Sequence, residues 1–227
     1  GTDYPFAGAK FKFLAANVEE SATGKTIFAP YAIKSFGKTR VAFIGMTLKD
    51  TPSIVTPSGV AGLSFKDEAA TVNALIPKLK ARGVESVVVL VHQGGTVPTT
   101  QAADTINSCS GGLTGTPMLP IVNALDDEVD LVISGHTHQA YNCQIANSAG
   151  RLIPVTSANS QGRVLSDINL TINDKTGEVI SVAANNIVVD RNHTGTTANS
   201  QIAGLVASYK ALATPIANRV IGEITAA

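Results

Sequence analysis

The sequence predicts an α/β fold, on three observations. Strand-like and helix-like segments alternate from Lys10 to Val91. Val84 to Val91 is a nearly continuous β-branched run, the composition of a strand covered on both faces, and Val129 to Ser134 reads as a second buried strand. After Arg151 the pattern changes to strands of alternating polarity, as antiparallel pairing requires.

Taken in order, Lys10 to Val18 reads as a strand. Tyr31 to Phe36 and Thr39 to Gly45, separated by Gly37 and Lys38, form a hairpin pattern with a two-residue turn. Thr51 to Gly62 is rich in Pro and Gly and reads as loop. Ser64 with Asp67 resembles a capping box in which Asp replaces the usual Glu. Ala69, Val72, Leu75, Ile76 and Leu79 then recur on one helical face, which predicts a helix from Phe65 to Arg82. Pro77 should kink or shorten that helix, and Gly83 should end it.

Pro117 to Leu125 is a short helix between the two buried strands. Leu152 to Ser157, Arg163 to Ile172 and Glu178 to Val189 read as antiparallel strands, the last two joined by a turn from Asn173 to Gly177. Asn192 to Asn199 is a polar linker, and Gln201 to Ala213 is an amphipathic helix interrupted by Thr214-Pro215. Val220 to Thr225 opens a strand with nothing after it to pair with, the start of a further domain. The expected division is a main domain over 1–196, a linker helix over 197–218, and the first strand of another domain over 219–227.

Seventeen basic and seventeen acidic side chains cancel, so no long-range field gathers nucleic acid polymers, and phosphate recognition must be local. Apolar residues at 44% against 15% charged residues fit a folded domain. The longest apolar runs fall far short of the roughly 20 residues that cross a bilayer. Neither Cys109 nor Cys143 lies in a Cys-x-x-Cys pair, which argues against a zinc knuckle or a thioredoxin-type site. A single disulfide is the natural reading, with two buried free thiols as the alternative. The polar, Gly/Ser/Asn-rich surroundings of each cysteine favour the disulfide, and with it an oxidising, extracytoplasmic compartment. No signal peptide is present at Gly1, consistent with numbering that begins inside a processed or truncated protein.

Three of the four histidines fall just beyond the two buried strands, where open α/β sheets place their ligand sites. Taken singly, His92 reads as a hydrogen-bonded histidine at a strand end. His136 and His138, one residue apart on a loop after Gly135, turn the set towards metal ligation, because imidazole is a common ligand for divalent metals. Gly135 would allow a tight turn and close backbone approach. His193 lies in a polar stretch that no strand delivers, and reads as a surface residue.

Asp130 to His138, with its Ser134-Gly135-His136-Thr137-His138 ending, resembles the Gly-His-x-His block of the calcineurin-like metallophosphoesterases, and Val88 to Gly94 resembles the strand-His block upstream of it. Phe13 to Val18, Phe43 to Thr47 and Pro154 to Ser157 resemble the secreted branch of 5'-nucleotidases and 2',3'-cyclic-nucleotide phosphodiesterases. The resemblance implies a four-layer α/β/β/α sandwich, incomplete here at its N-terminal side, with 1–196 as the C-terminal part of the catalytic domain. It also implies two divalent ions (zinc, manganese, iron or similar), with His92 and His136 on one and His138 on the other. The function implied is metal-dependent hydrolysis of a small nucleotide or phosphate-ester substrate by the parent protein, a place in nucleotide catabolism.

The family's Asp-x-His, Gly-Asp and Asn-His blocks do not occur in the sequence, and Asn17, followed by Val18, reads as a strand-end structural residue. Weak or absent hydrolysis and at most partial metal occupancy are therefore expected of the isolated chain, three imidazoles being enough for one zinc ion. The barrel amidohydrolases also use His-x-His, but on the first strand of the domain, whereas here the pair follows at least four predicted strands. A non-catalytic binding or surface-interaction module on a degenerate phosphoesterase fold is the competing reading.

Overall fold

The structure, a computed structural model, describes residues 8–98, 106–114, 117–190, 192 and 197–223. The chain divides into two compact units, Gly1–Val189 and Asp190–Ala227. His193 lies outside the described residues, as does the end of the strand expected from Val220.

The first unit opens with β1 (Val18–Glu20), a hairpin of β2 (Tyr31–Phe36) and β3 (Thr39–Met46), a short helix α1 (Thr51–Ile54), a 3-10 turn over Pro57–Val60, and β4 (Leu63–Phe65). It continues through α2 (Glu68–Lys80), β5 (Ser86–Val91), α3 (Met118–Ala124), β6 (Leu131–Ser134), β7 (Ala140–Ala146) and β8 (Leu152–Ala158), and ends in the hairpin of β9 (Val164–Ile172) and β10 (Val179–Val188). Six strands build one sheet in the order β2-β3-β5-β6-β8-β7. Its four central strands are parallel, and β2 and β7 run antiparallel at the edges.

Residues of β3 and β5 alternate between the two faces of this sheet. Ala42, Ile44, Val87 and Val89 pack with Val72, Leu75, Ile76 and Leu79 of α2 and with Met118, Ile121 and Val122 of α3. Val41 and Val88 face the other way, where Phe43 and Leu90 join Ile168, Leu170 and Ile172 of β9 and Val182 of β10. Both faces are thus covered, which explains the apolar runs of the central strands. Within this unit the described residues form a helix layer, the main sheet, a second sheet of β9 and β10 and a small two-stranded sheet of β1 and β4. No helical layer lies over the second sheet among them.

Buried polar side chains fasten the layers. Asp130 accepts from the Val87 N–H at 2.8 Å and from the Arg151 guanidinium at 2.7 Å, tying together the starts of β5, β6 and β8. Burial pushes the Asp130 carboxyl up from its ordinary value, against the pull of the Val87 and Arg151 hydrogen bonds. Asn186 of β10 donates to the carbonyls of Ile106 at 2.8 Å and Ser157 at 2.9 Å, pinning the second sheet to the first. Asn17 is buried and structural: its amide donates to Thr47 O at 2.7 Å, and its oxygen accepts from Thr47 N at 3.0 Å.

Several elements depart from the sequence expectations. Lys10 to Val18 is not a strand: only Leu14 bridges Ala29, and β1 begins at Val18 to pair with β4. Thr51 to Gly62 contains the short helix α1 and the 3-10 turn rather than loop throughout. The N-cap of α2 is Asp67, which accepts from Ala70 N at 3.0 Å, while Ser64 belongs to β4. Pro77 sits inside α2 close enough to its end that the helix runs on to Lys80, and Gly83 with φ +66 follows it. β8 is parallel to β6 and antiparallel only to β7, so the change to antiparallel pairing comes at β7 and in the β9–β10 hairpin.

In the second unit, α4 (Ser200–Ala217) starts at the cap Asn199, whose side chain accepts from Ile202 N at 3.1 Å, and continues through Pro215 instead of stopping before it. Val220 to Glu223 is irregular, not the strand expected there. No described helix is long and apolar enough to cross a membrane.

Cys109 and Cys143 are joined by a disulfide across 34 positions. Replacing both by Ser should lower stability by about 3 to 4 kcal/mol, the loop-closure contribution for a ring of this size. Urea unfolding of the variant and of the reduced protein measures this, and equal midpoints for all forms would refute it.

Candidate functional site

β5 and β6 are adjacent and parallel, with Val88 opposite Leu131 and Leu90 opposite Ile133, so both release their C-terminal loops at one edge of the sheet. His92 follows β5 directly, its N–H bonded to Met46 O at 3.1 Å as an extension of the parallel ladder. Gly135 to His138 follow β6, and the Gly135 N–H donates to Gln93 O at 3.0 Å, joining the two loops. The rings of His92 and His136 meet edge to face, with centroids 5.2 Å apart.

His136 and His138 both take left-handed backbone, φ +67 and +57. A non-glycine residue held there costs on the order of 1 to 2 kcal/mol, and such strain is common at functional sites. Thr137 between them donates its N–H to Gly135 O at 2.7 Å and its hydroxyl to Gly95 O at 2.6 Å.

The glycine that the site demands is Gly94 rather than Gly135. A Cβ at Gly94 would lie 2.0 Å from Gly135 O and 2.6 Å from Thr137 Oγ1, whereas one at Gly135 would meet nothing nearer than His92 Nδ1 at 3.7 Å. Gly94, Thr137 and Tyr141, whose phenol accepts from Gly95 N at 2.9 Å, were not singled out from the sequence. The Gly94-Gly95 pair two residues after His92 was the available signal.

The three histidines are not brought together equally. The rings of His92 and His136 form a pair, while His138 is exposed, near enough for its charge to bear on His92. Among the described residues no group of three or more His, Cys, Asp or Glu side chains is placed to hold a metal ion. Two imidazoles 5.2 Å apart suit two positions around a single ion with nitrogen ligands. The described residues place no carboxylate with the pair to bridge two ions, so a bridged pair of ions does not fit them alone, and no hydrolytic step follows from them. Beside the pair lies an open cleft of about 360 Å³ that Phe13, Leu14, Met46, His92 and Ser134 help to line.

Loss of hydration on its covered side, then repulsion from His136 and His138, pushes the His92 imidazole below its ordinary value of 6.5. The unfolded chain therefore takes up a proton at His92 at a pH where the folded chain does not. Stability falls as pH drops through 6.5 towards the folded value, and only modestly, because His92 is largely exposed. In metal-free protein, His92→Asn should narrow the gap between the Tm at about pH 7.5 and at about pH 5.5. An unchanged gap would show that His92 does not titrate in this way.

No family model matches the chain. It is 27% identical to the protein named Endonuclease YhcR of Bacillus subtilis, over 98% of this chain and 17% of that protein. It is also 27% identical to the cell wall protein Lmo0130 of Listeria monocytogenes, over 96% of this chain and 27% of that protein. With the snake venom 5'-nucleotidase of Naja atra the identity is 29%, over 81% of this chain and 34% of that protein. The chain thus spans about a third or less of the length of these curated relatives.

Among solved structures, a 5'-nucleotidase precursor from Thermus thermophilus superposes with a TM-score of 0.68 at 23% identity, over 95% of this chain and 40% of that one. The calcineurin-like phosphoesterase YfkN from Bacillus subtilis superposes with a TM-score of 0.66 at 20% identity, over 93% of this chain and 65% of that one. The fold is thus the mixed α/β fold of the metallophosphoesterase structures, and the relatives and neighbours of the chain include 5'-nucleotidases and a calcineurin-like phosphoesterase, which are hydrolases.

Proposed function

We propose that residues 1–196 form part of the catalytic domain of a metal-dependent phosphoester hydrolase acting on nucleotides, with 197–218 as a linker helix and 219–227 leading into a further domain. The observation that carries this reading is the His92–His136 pair at the C-terminal edge of β5 and β6, where a sheet of this topology presents its ligands. His92 and His136 would share one divalent ion and His138 would serve a second, with the carboxylate and the other ligands contributed by segments other than those described. Bound there, such ions supply a hydroxide nucleophile and neutralise phosphoryl oxygens. The part of this chain is to hold the two loops at a fixed separation.

The near-zero net charge favours a small phosphate ester over a polyanion. The disulfide, together with the relative named as a cell wall protein, supports an extracytoplasmic location.

In the full-length protein, His136→Ala should lower bound metal and reduce hydrolysis of adenosine 5'-monophosphate by at least about 100-fold, because removing a ligand forfeits several kcal/mol of charge stabilisation. Turnover and metal content equal to the wild type would overturn the proposal.

A further inference from the structure

Besides the Gly135 N–H bond to Gln93 O, the two histidine-bearing loops are joined through side chains that meet at Gly95. Its carbonyl accepts from Thr137 Oγ1 at 2.6 Å, and its N–H donates to the phenolic oxygen of Tyr141 at 2.9 Å. Ser134 Oγ lies 2.7 Å from the same phenol and gives its own proton to Thr156 O at 2.9 Å, so the Tyr141 hydroxyl must donate to Ser134. The direction of every proton along this chain is therefore set, from Gly95 to Tyr141, from Tyr141 to Ser134, and from Ser134 to Thr156. Tyr141 has no exposed surface, so its hydrogen bonds are made out of water, where an unmet donor is costly.

Thr137 is itself flanked by the two left-handed residues His136 and His138, and its hydroxyl is the side-chain anchor of that strained segment on the neighbouring loop. Gly94 permits the contact, since any side chain there would strike Gly135 O and Thr137 Oγ1.

We propose that Thr137 and Tyr141 are positioning residues: acting on Gly95 from its carbonyl and its N–H, they set the separation of His92 and His136 that a bound ion meets. Neither is a ligand. The inference rests on the reading of His92 and His136 as metal ligands, and the test separates the two.

The experiment uses the full-length protein, stripped of metal with a chelator and titrated with Zn2+ alone in competition with a chromophoric chelator. Thr137→Val should weaken Zn2+ binding about 10-fold, the usual scale for a group that orients a ligand, while Thr137→Ser stays within about twofold of the wild type. The Tm of the metal-free Thr137→Val protein should stay within about 2 °C of the wild type. Tyr141→Phe should weaken binding in the same direction, and the double variant should lose less than the two separate losses combined, because both act on Gly95.

Full Zn2+ affinity in Thr137→Val, alongside its loss in His136→Ala, would overturn the positioning role and leave the ligand reading intact. Full affinity in His136→Ala would overturn the ligand reading and the inference with it. A lowered metal-free Tm in Thr137→Val that Thr137→Ser fails to restore would reduce Thr137 to fold stability and overturn its positioning role.

Discussion

The parallel ladder between β5 and β6 is the constraint from which the site follows. Its register aligns Val88, Val89 and Leu90 with Leu131, Val132 and Ile133, and Asp130 fixes the entry end through the Val87 N–H. A slip of one residue would exchange the side chains facing α2 and α3 with those facing β9, so packing on both faces enforces the register. The proximity of His92 and His136 is therefore imposed by apolar packing several residues away.

Fastening between layers falls largely to side-chain amides and one carboxylate. Asn17, Asn186 and Asp130 are all buried, and each bonds backbone groups of another segment. An amide suits this role because it offers both donors and acceptors, and so can satisfy two strands at a loop where the regular ladder stops. Asp130 does the same work with charge, held by Arg151 and a backbone N–H against the cost of burial.

Much of this was legible in the sequence. The hairpin at Gly37-Lys38, both buried strands and the apolar face of α2 follow from periodicity and turn chemistry, which are local. β7 lies outside the predicted strands although Tyr141, Cys143 and Ile145 alternate with Asn142 and Gln144, a local signal of the kind that marks a half-buried strand. Lys10 to Val18 has the composition of a strand but lacks a ladder partner along most of its length, a non-local fact that no window of sequence contains. At the site, the loop positions of His92 and His136 could be read from the strands that deliver them. The exposure of His138 could not, because it depends on the left-handed turn around Thr137.

The covalent ring closed by Cys109 and Cys143 contains α3, β6 and the whole His-x-His loop. A protease that nicks the backbone anywhere inside that ring leaves its two products linked through sulfur, so His136 is not released from the segment that carries His92. For a protein exposed to hydrolytic surroundings, the crosslink thus confers tolerance of cleavage on the stretch of chain where a break would otherwise separate the paired rings.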